Sequence, residues 1–321
     1  MNRMIPAVLA LAAALCALAP AVMAQADYPS RPVRIVVPYP PGGTVDVFAR
    51  IVGDRMGERL KQSFILENKA GGNGIIGAEY ALHAAPDGYT LLSSGAVVYS
   101  SAFVRNPPFD FLREFTPISQ IYYGGLFFFV RADLPARNMK EFVDYARANP
   151  GKVNYGSPAP NTMLAMEVFK RQNNIDMLHV PYKGAGPTTA ALLGGEVQVT
   201  LDTYTSYRSL VEAGKLRALA VTSDARAPAL PGVPTLAEGG LPVLKAGSHG
   251  GFWAQAATPR DVVDKLNRAM VEVMKRPDVQ EPLRASGVVP EGSTPEALRQ
   301  AIVTEQEFWV SAAKTANYQP D

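Results

Sequence analysis

One feature constrains this chain more than any other: an apolar run that breaks into a stiff proline–glycine turn and re-emerges as an amphipathic helix. Residues 33–37 (VRIVV) precede the turn 38–43 (PYPPGG), after which Val45, Phe48, Ala49, Val52, Met56 and Leu60 recur at helical spacing. A short apolar run bounded by Pro and Gly predicts a buried strand, and the 3.6-residue period that follows predicts a helix with one core face. Prolines fix φ ahead of the helix, and glycines let the backbone come close to a ligand. The free N–H groups of a helix start attract anions such as phosphate or carboxylate. The turn therefore has two readings, a connection that only reverses the chain or an anion site at a strand end.

The same order recurs downstream. Residues 64–68 predict a strand, 70–74 a turn, 75–85 a helix, and 89–93 a third strand running into Ser94 and Gly95. Strands and helices alternating through short loops imply a parallel sheet flanked by helices, whose ligands sit at the carboxyl ends of the strands. Two strongly apolar strands, 117–123 and 126–130, are separated only by Gly124 and Gly125, which points to a crossing between domains. From Lys152 the opening pattern repeats: a strand at 153–156, a stiff polar turn at 157–162, a helix at 163–171. Strand 177–180 exits through Pro181, Tyr182 and Gly184; strand 197–201 delivers Asp202 and Thr203 to its end; strand 216–221 is the return crossing. Residues 248–254 predict a loop entering a strand, and helices start at Thr258-Pro259 and Thr294-Pro295. The expectation is an α/β protein of two domains, each a mostly parallel sheet flanked by helices. Residues 25–123 and 222–321 make the first, and 124–221 the second.

The first 24 residues predict a cleavable leader: Arg3, an apolar run at 5–21, then Val22-Met23-Ala24 ahead of Gln25. Cys16, the single cysteine, falls inside it. Leu15 fits a lipidation signal poorly, and the mature chain would hold no disulfide and no thiolate site. Removing Arg3 and no acid takes the net charge from +2 to +1, which leaves no electrostatic footprint for nucleic acid or anionic lipid. An exported, soluble, monomeric periplasmic protein is expected.

Catalytic machinery is scarce. His83, His179 and His249 are far apart, with no second ligand at metal-binding spacing. There is no Gly-x-Ser-x-Gly elbow and no Walker loop, and Gly71, Gly72, Gly74 and Gly77 have the wrong spacing for a dinucleotide turn, so no cofactor is expected. Asp46 reads either as a buried acid facing the site or as an acid favoured by the helix dipole. Asp202 could receive an ammonium, a hydroxyl or a water, or cap the next helix. What converges on one edge is a set of polar, backbone-rich loops. They carry Tyr39, Pro41, Gly42, Gly43 and Thr44; Ser94 and Gly95; Ser157, Asn161 and Thr162; Pro181, Tyr182 and Gly184; Asp202 and Thr203. Such loops suit a binding cleft better than an enzyme, which needs tuned acids and bases. The competing reading is an exported hydrolase whose turnover depends on Asp46 or Asp202.

Residues 28–43, Asp46 with Ala49-Arg50, and residues 67–74, 86–92, 179–184 and 214–221 together carry a resemblance that spans the mature chain. The sequence resembles the Bug-type solute receptors, the extracytoplasmic binding components of tripartite tricarboxylate transporters. That resemblance implies a hinged, two-domain periplasmic-binding-protein fold of type II-like form. Its cleft would take a small carboxylated solute and deliver it to the transporter's membrane components, or present it to a signalling partner as an exported sensor. It also implies that residues 39–44 and 157–162 hold a carboxylate through backbone amides and waters, with Asp202 matching the acid at the later strand end. Two departures from the family pattern stand out. The second turn is proline-rich and about two residues shorter than usual, with Met163 where His is common, and His249 stands where Trp often does. Met163 and His249 are therefore the specificity candidates.

Overall fold

The computed structural model describes residues 28–99 and 106–318; the leader expected at 1–24 lies outside them. Strand β1 (Val33–Val37) leads into helix α1 (Thr44–Leu60), β2 (Phe64–Asn68), α2 (Ile75–Leu82) and β3 (Thr90–Ser93), with 3-10 turns at Gly72–Gly74 and Ala96–Tyr99. A one-turn helix α3 (Phe111–Glu114) precedes the long β4 (Phe115–Gly125), and β5 (Phe127–Arg131) follows after a single residue. The chain continues through α4 (Met139–Ala148), β6 (Asn154–Ser157), α5 (Pro160–Asn173), β7 (Leu178–Pro181), α6 (Ala185–Gly194), β8 (Val199–Asp202), α7 (Tyr204–Glu212) and β9 (Leu216–Val221). It ends with β10 (Gly247–Gln255), α8 (Arg260–Val273), α9 (Pro277–Ala285), the two-residue β11 (Val289–Pro290) and α10 (Pro295–Thr315).

These strands form two sheets, one of six strands in the order β11-β4-β10-β3-β1-β2 and one of five in the order β7-β6-β8-β5-β9. The chain passes from the first to the second through Leu126 and returns between β9 and β10. Within each sheet the strand–turn–helix units pair in parallel, β1 with β2 and β3, and β6 with β7 and β8. Strand β5 runs antiparallel to both β8 and β9, and β10 antiparallel to both β3 and β4. In each sheet most strands thus run one way, β1–β4 in the first and β6–β9 in the second, while β10 and the short β11, and β5, run against them.

Burial follows from the apolar runs. Val33, Ile35, Val36 and Val37 are inaccessible to solvent, as a strand covered on both faces requires. In β5, Phe128 packs on Phe169 of α5 with ring centroids 4.7 Å apart, while Phe129 stacks on Tyr207 of α7 at 4.6 Å. Successive residues point to opposite faces, so consecutive phenylalanines serve two helix layers. Each such side chain contributes about 1.5–3 kcal/mol of burial. Helix α10 turns Leu298, Ile302 and Trp309 inward and packs on both β4 and α5.

Several elements depart from expectation. Helix α5 starts at Pro160 rather than 163, because proline at the first helical position costs no hydrogen bond. Residues 247–255 are strand throughout rather than a loop entering one. Helix α9 forms despite Pro282 in its interior, held down by buried Val279 and Leu283. Among the described residues no helix is long and apolar enough to cross a membrane.

Candidate functional site

The turn after β1 is held from below. Asp46, 3% exposed, accepts four hydrogen bonds: Gly42 N at 2.9 Å, Arg50 Nε at 3.1 Å, Arg50 Nη2 at 2.9 Å and Asn68 Nδ2 at 2.9 Å. Asn68 Nδ2 also donates to the Tyr39 carbonyl at 3.0 Å. Burial alone would raise the Asp46 carboxyl, but Arg50, the Gly42 amide and Asn68 outweigh it and hold the group below the usual carboxylate range. Both Asp46 oxygens are thereby engaged in bracing the turn. Gly42 sits at φ +86°, a left-handed conformation that favours glycine. The phenol of Tyr39 accepts the Val97 amide at 2.8 Å and ties the turn to the 3-10 segment after β3; burial raises its pKa. Above this frame Gly43 is the N-cap of α1 and supplies no side-chain cap.

Ser94 and Gly95 have separate tasks. The Ser94 hydroxyl is buried, donates to the Gly251 carbonyl at 3.1 Å, and accepts from Gly251 N at 3.2 Å and Trp253 Nε1 at 2.9 Å. It pins β3 to β10. Gly95 lies against the first turn: a Cβ there would come within 2.8 Å of Val45 and 3.1 Å of the Tyr39 ring.

On the second sheet, the buried Ser157 hydroxyl lies 2.6 Å from His179 Nε2, and the imidazole stacks on Tyr155 with centroids 5.0 Å apart. Burial pushes the His179 pKa down, which favours the neutral ring. Pro181 pairs in register with Ser157, Tyr182 N donates to the Ser157 carbonyl at 3.0 Å, and Gly184 N donates to the Pro158 carbonyl at 3.1 Å. The exit of β7 is thereby laced to the turn after β6. Thr162 donates to the Ala159 carbonyl at 2.8 Å, while Asn161 and Met163 remain half-buried beside it in the first turn of α5. Asp202 ends β8 and accepts from Thr203 N at 2.7 Å; burial pushes its carboxyl up to about 7.

The two edges meet. Thr44 Oγ1, at the first residue of α1, lies 3.3 Å from Thr203 Oγ1, the N-cap of α7. Four helices start on these loops, and none of their N-cap residues (Gly43, Ala159, Gly184, Thr203) provides a side-chain cap. Backbone donors at helix starts, without a cationic side chain among the candidate residues, can recognise a small anion by hydrogen bonds and dipoles.

His249 is placed elsewhere. It pairs opposite Tyr123, packs on that ring at 4.5 Å, and bonds through Nδ1 to Glu305 on α10. Sequence reasoning did not pick out Arg50 and Asn68 as braces or Glu305 as a partner. The first two had signals, the i,i+4 spacing of Asp46 and Arg50 and the position of Asn68 at the end of a neighbouring strand. Glu305 had none, since its partners lie 56 and 206 residues away.

Residues 48–311 match the tripartite tricarboxylate transporter family receptor profile. The chain belongs to this receptor family. A curated relative, a UPF0065 protein of the tcbD–tcbE intergenic region of a Pseudomonas strain, is 38% identical over 286 residues, 88% of this chain and 85% of its own length. The receptor is also similar to a solved R. palustris structure with adipate, at 33% identity and TM-score 0.85, covering 92% of this chain and 100% of that one. The periplasmic binding protein BugD follows at 32% identity and TM-score 0.80, again covering 92% and 100%. The expected Bug-type membership and periplasmic-binding-protein fold are both borne out: the chain is a solute-binding receptor of that fold.

Proposed function

We propose that this receptor works in the periplasm without catalysis, capturing a small carboxylated solute between the edges of its two sheets. It then presents the loaded form to the membrane components of a tripartite transporter. The observation that carries the reading is the 3.3 Å contact between Thr44 and Thr203, which brings together the starts of α1 and α7, helices that follow strands of different sheets. Asp46 and Ser94 hold the frame. The amides of residues 43–45 supply one set of donors, and the starts of α5 and α7 supply the other. A related protein was solved with adipate, which supports the dicarboxylate class. Two lobes, residues 25–123 with 222–321 and residues 124–221, would pivot about the crossings at residues 125–127 and after β9. Met163, beside the second turn, would read the far end of the solute.

Mass spectrometry of the gently denatured protein, followed by a thermal-shift panel of mono- and dicarboxylates, tests this directly. A co-purified carboxylate is expected, and a ligand at 100 times its dissociation constant should stabilise the fold by about 2.7 kcal/mol. A co-purified nucleotide or sugar, or a panel in which no acid shifts the transition, overturns the reading.

A further inference from the structure

A cavity of about 710 Å³ lies between α10 and the segments where the chain passes from sheet to sheet, and none of the candidate cleft loops lines it. At its edge stands Glu305, 7% exposed. One carboxyl oxygen, Oε2, receives the Tyr99 hydroxyl and His249 Nδ1, while Oε1 is buried with no hydrogen-bond partner. An acceptor removed from water without a donor is costly, so it either serves a ligand or holds a water. Gly247 leaves room beside that oxygen, since a Cβ there would lie 3.3 Å from Oε1 and 3.0 Å from the Tyr123 ring.

The charge of the lining decides the class of guest. Asp224, Glu291 and Glu305 line the cavity with Lys245 and with His249, whose Nδ1 is bonded to Glu305 Oε2. The field is felt by Tyr123, whose pKa is raised by burial and then by Glu305 and Asp224. A carboxylate solute is repelled from such a space. Among the described residues no group of three or more His, Cys, Asp or Glu side chains is arranged to hold a metal ion. The rings of Tyr123 and Phe308 flank the space, and aromatic faces attract organic cations.

We infer that this cavity is a second binding site, for a small primary ammonium compound with an apolar body whose N–H donates to Glu305 Oε1. The guest is opposite in charge to the solute proposed for the cleft, so the two sites are distinguishable by their probes.

Isothermal titration of the full chain with benzylammonium near neutral pH should give saturable binding, and benzyl alcohol, of similar shape but uncharged, should give none. Glu305→Gln should weaken benzylammonium about tenfold or more. Gly247→Ala, which lays a methyl group against Oε1, should weaken it too, so the test survives if the glutamine variant does not fold. A crystal soaked with 4-bromobenzylammonium should place bromine in this cavity. Absence of binding up to about 10 mM, near the weak end of measurable affinity, overturns the inference. So does equal affinity for benzyl alcohol, unchanged affinity in both variants, or bromine located elsewhere. Adipate titrated alongside reports on the cleft alone: its failure with benzylammonium binding intact removes the cleft reading and leaves this one standing.

Discussion

Asp46 shows how a carboxylate can shape an anion site without touching the anion. Its two oxygens take four donors, one of them the Gly42 amide of the turn itself. Asp46→Asn removes the charge that Arg50 answers and turns an NH₂ toward a donor. Hydrogen bonds to a charged group contribute about 1.5–3 kcal/mol, reduced here because Arg50 is half exposed. Urea unfolding at neutral pH should therefore show a loss of roughly 1–2 kcal/mol, with weaker adipate binding as the turn loosens; wild-type values for both would mean that the brace is idle. Because the folded pKa of Asp46 is depressed, its contribution is present above the unfolded value near 3.9 and lost as pH falls through the lower folded one. The gap between wild type and variant should close in acid. Asp202 behaves oppositely. Burial lifts its carboxyl to about 7, so the stability tied to its proton is full below the unfolded value near 3.9 and lost as pH rises through about 7. A protonated Asp202 can donate to a solute carboxylate, whereas an ionised one repels it. Adipate affinity should fall as pH rises from about 6 to about 8, and Asp202→Asn should flatten that dependence. An equally steep profile in the variant would assign the titration to another group.

At the scale of elements, what was legible was local. The β1–turn–α1 unit and its echo at β6–turn–α5 are written in consecutive residues: apolar runs, prolines at helix starts, an apolar face at helical spacing. What was not legible depends on partners distant in sequence or on the phase of a strand. Ser94 reads as a polar residue at a strand end facing a cleft, yet its partners Gly251 and Trp253 lie 157 and 159 residues on. In β10, His249 pairs with Tyr123 and reaches Glu305 on α10, 56 residues away, which no spacing rule could announce. Gly250 itself is dictated by the neighbouring strand, because a Cβ would fall 1.9 Å from the Tyr122 ring. Helix α9 carries Pro282 in its interior, and the lost hydrogen bond is outweighed by the burial of Val279 and Leu283. The Ser94 clamp makes a clear prediction. Ser94→Ala leaves the Trp253 indole N–H without its acceptor inside the core, at a cost of about 1–3 kcal/mol, and thermal unfolding should register it while adipate affinity stays within about twofold. A serine that touches the solute would give the reverse, unchanged stability with weakened binding.

At the scale of the molecule, the chain passes between its sheets twice, and one side chain joins the two passages. The buried Thr222 hydroxyl accepts the Leu126 amide at 2.8 Å and donates to the Ala246 carbonyl, so it touches both the outgoing and the returning segment. Beside it the backbone is in close contact: a Cβ on Gly125 would come within 2.7 Å of Ser223 N, which accounts for the glycine at the end of β4. If the proposed lobes pivot here, Thr222 does more than stabilise, because it sets how far the passages can separate. Thr222→Val keeps the volume and removes both hydrogen bonds, at an expected cost of about 1–3 kcal/mol for the groups left unsatisfied. Loosening the clasp also changes the balance of open and closed forms, and apparent affinity scales with the fraction that can bind. Small-angle scattering should therefore show a larger radius of gyration for the unliganded variant than for wild type. Adipate should bring both to the same compact value, with weaker affinity in the variant. A variant that loses stability but keeps the wild-type radius and adipate affinity would assign the clasp to folding alone and place the pivot elsewhere, with the contacts of α10 to both β4 and α5 as the next element to cut.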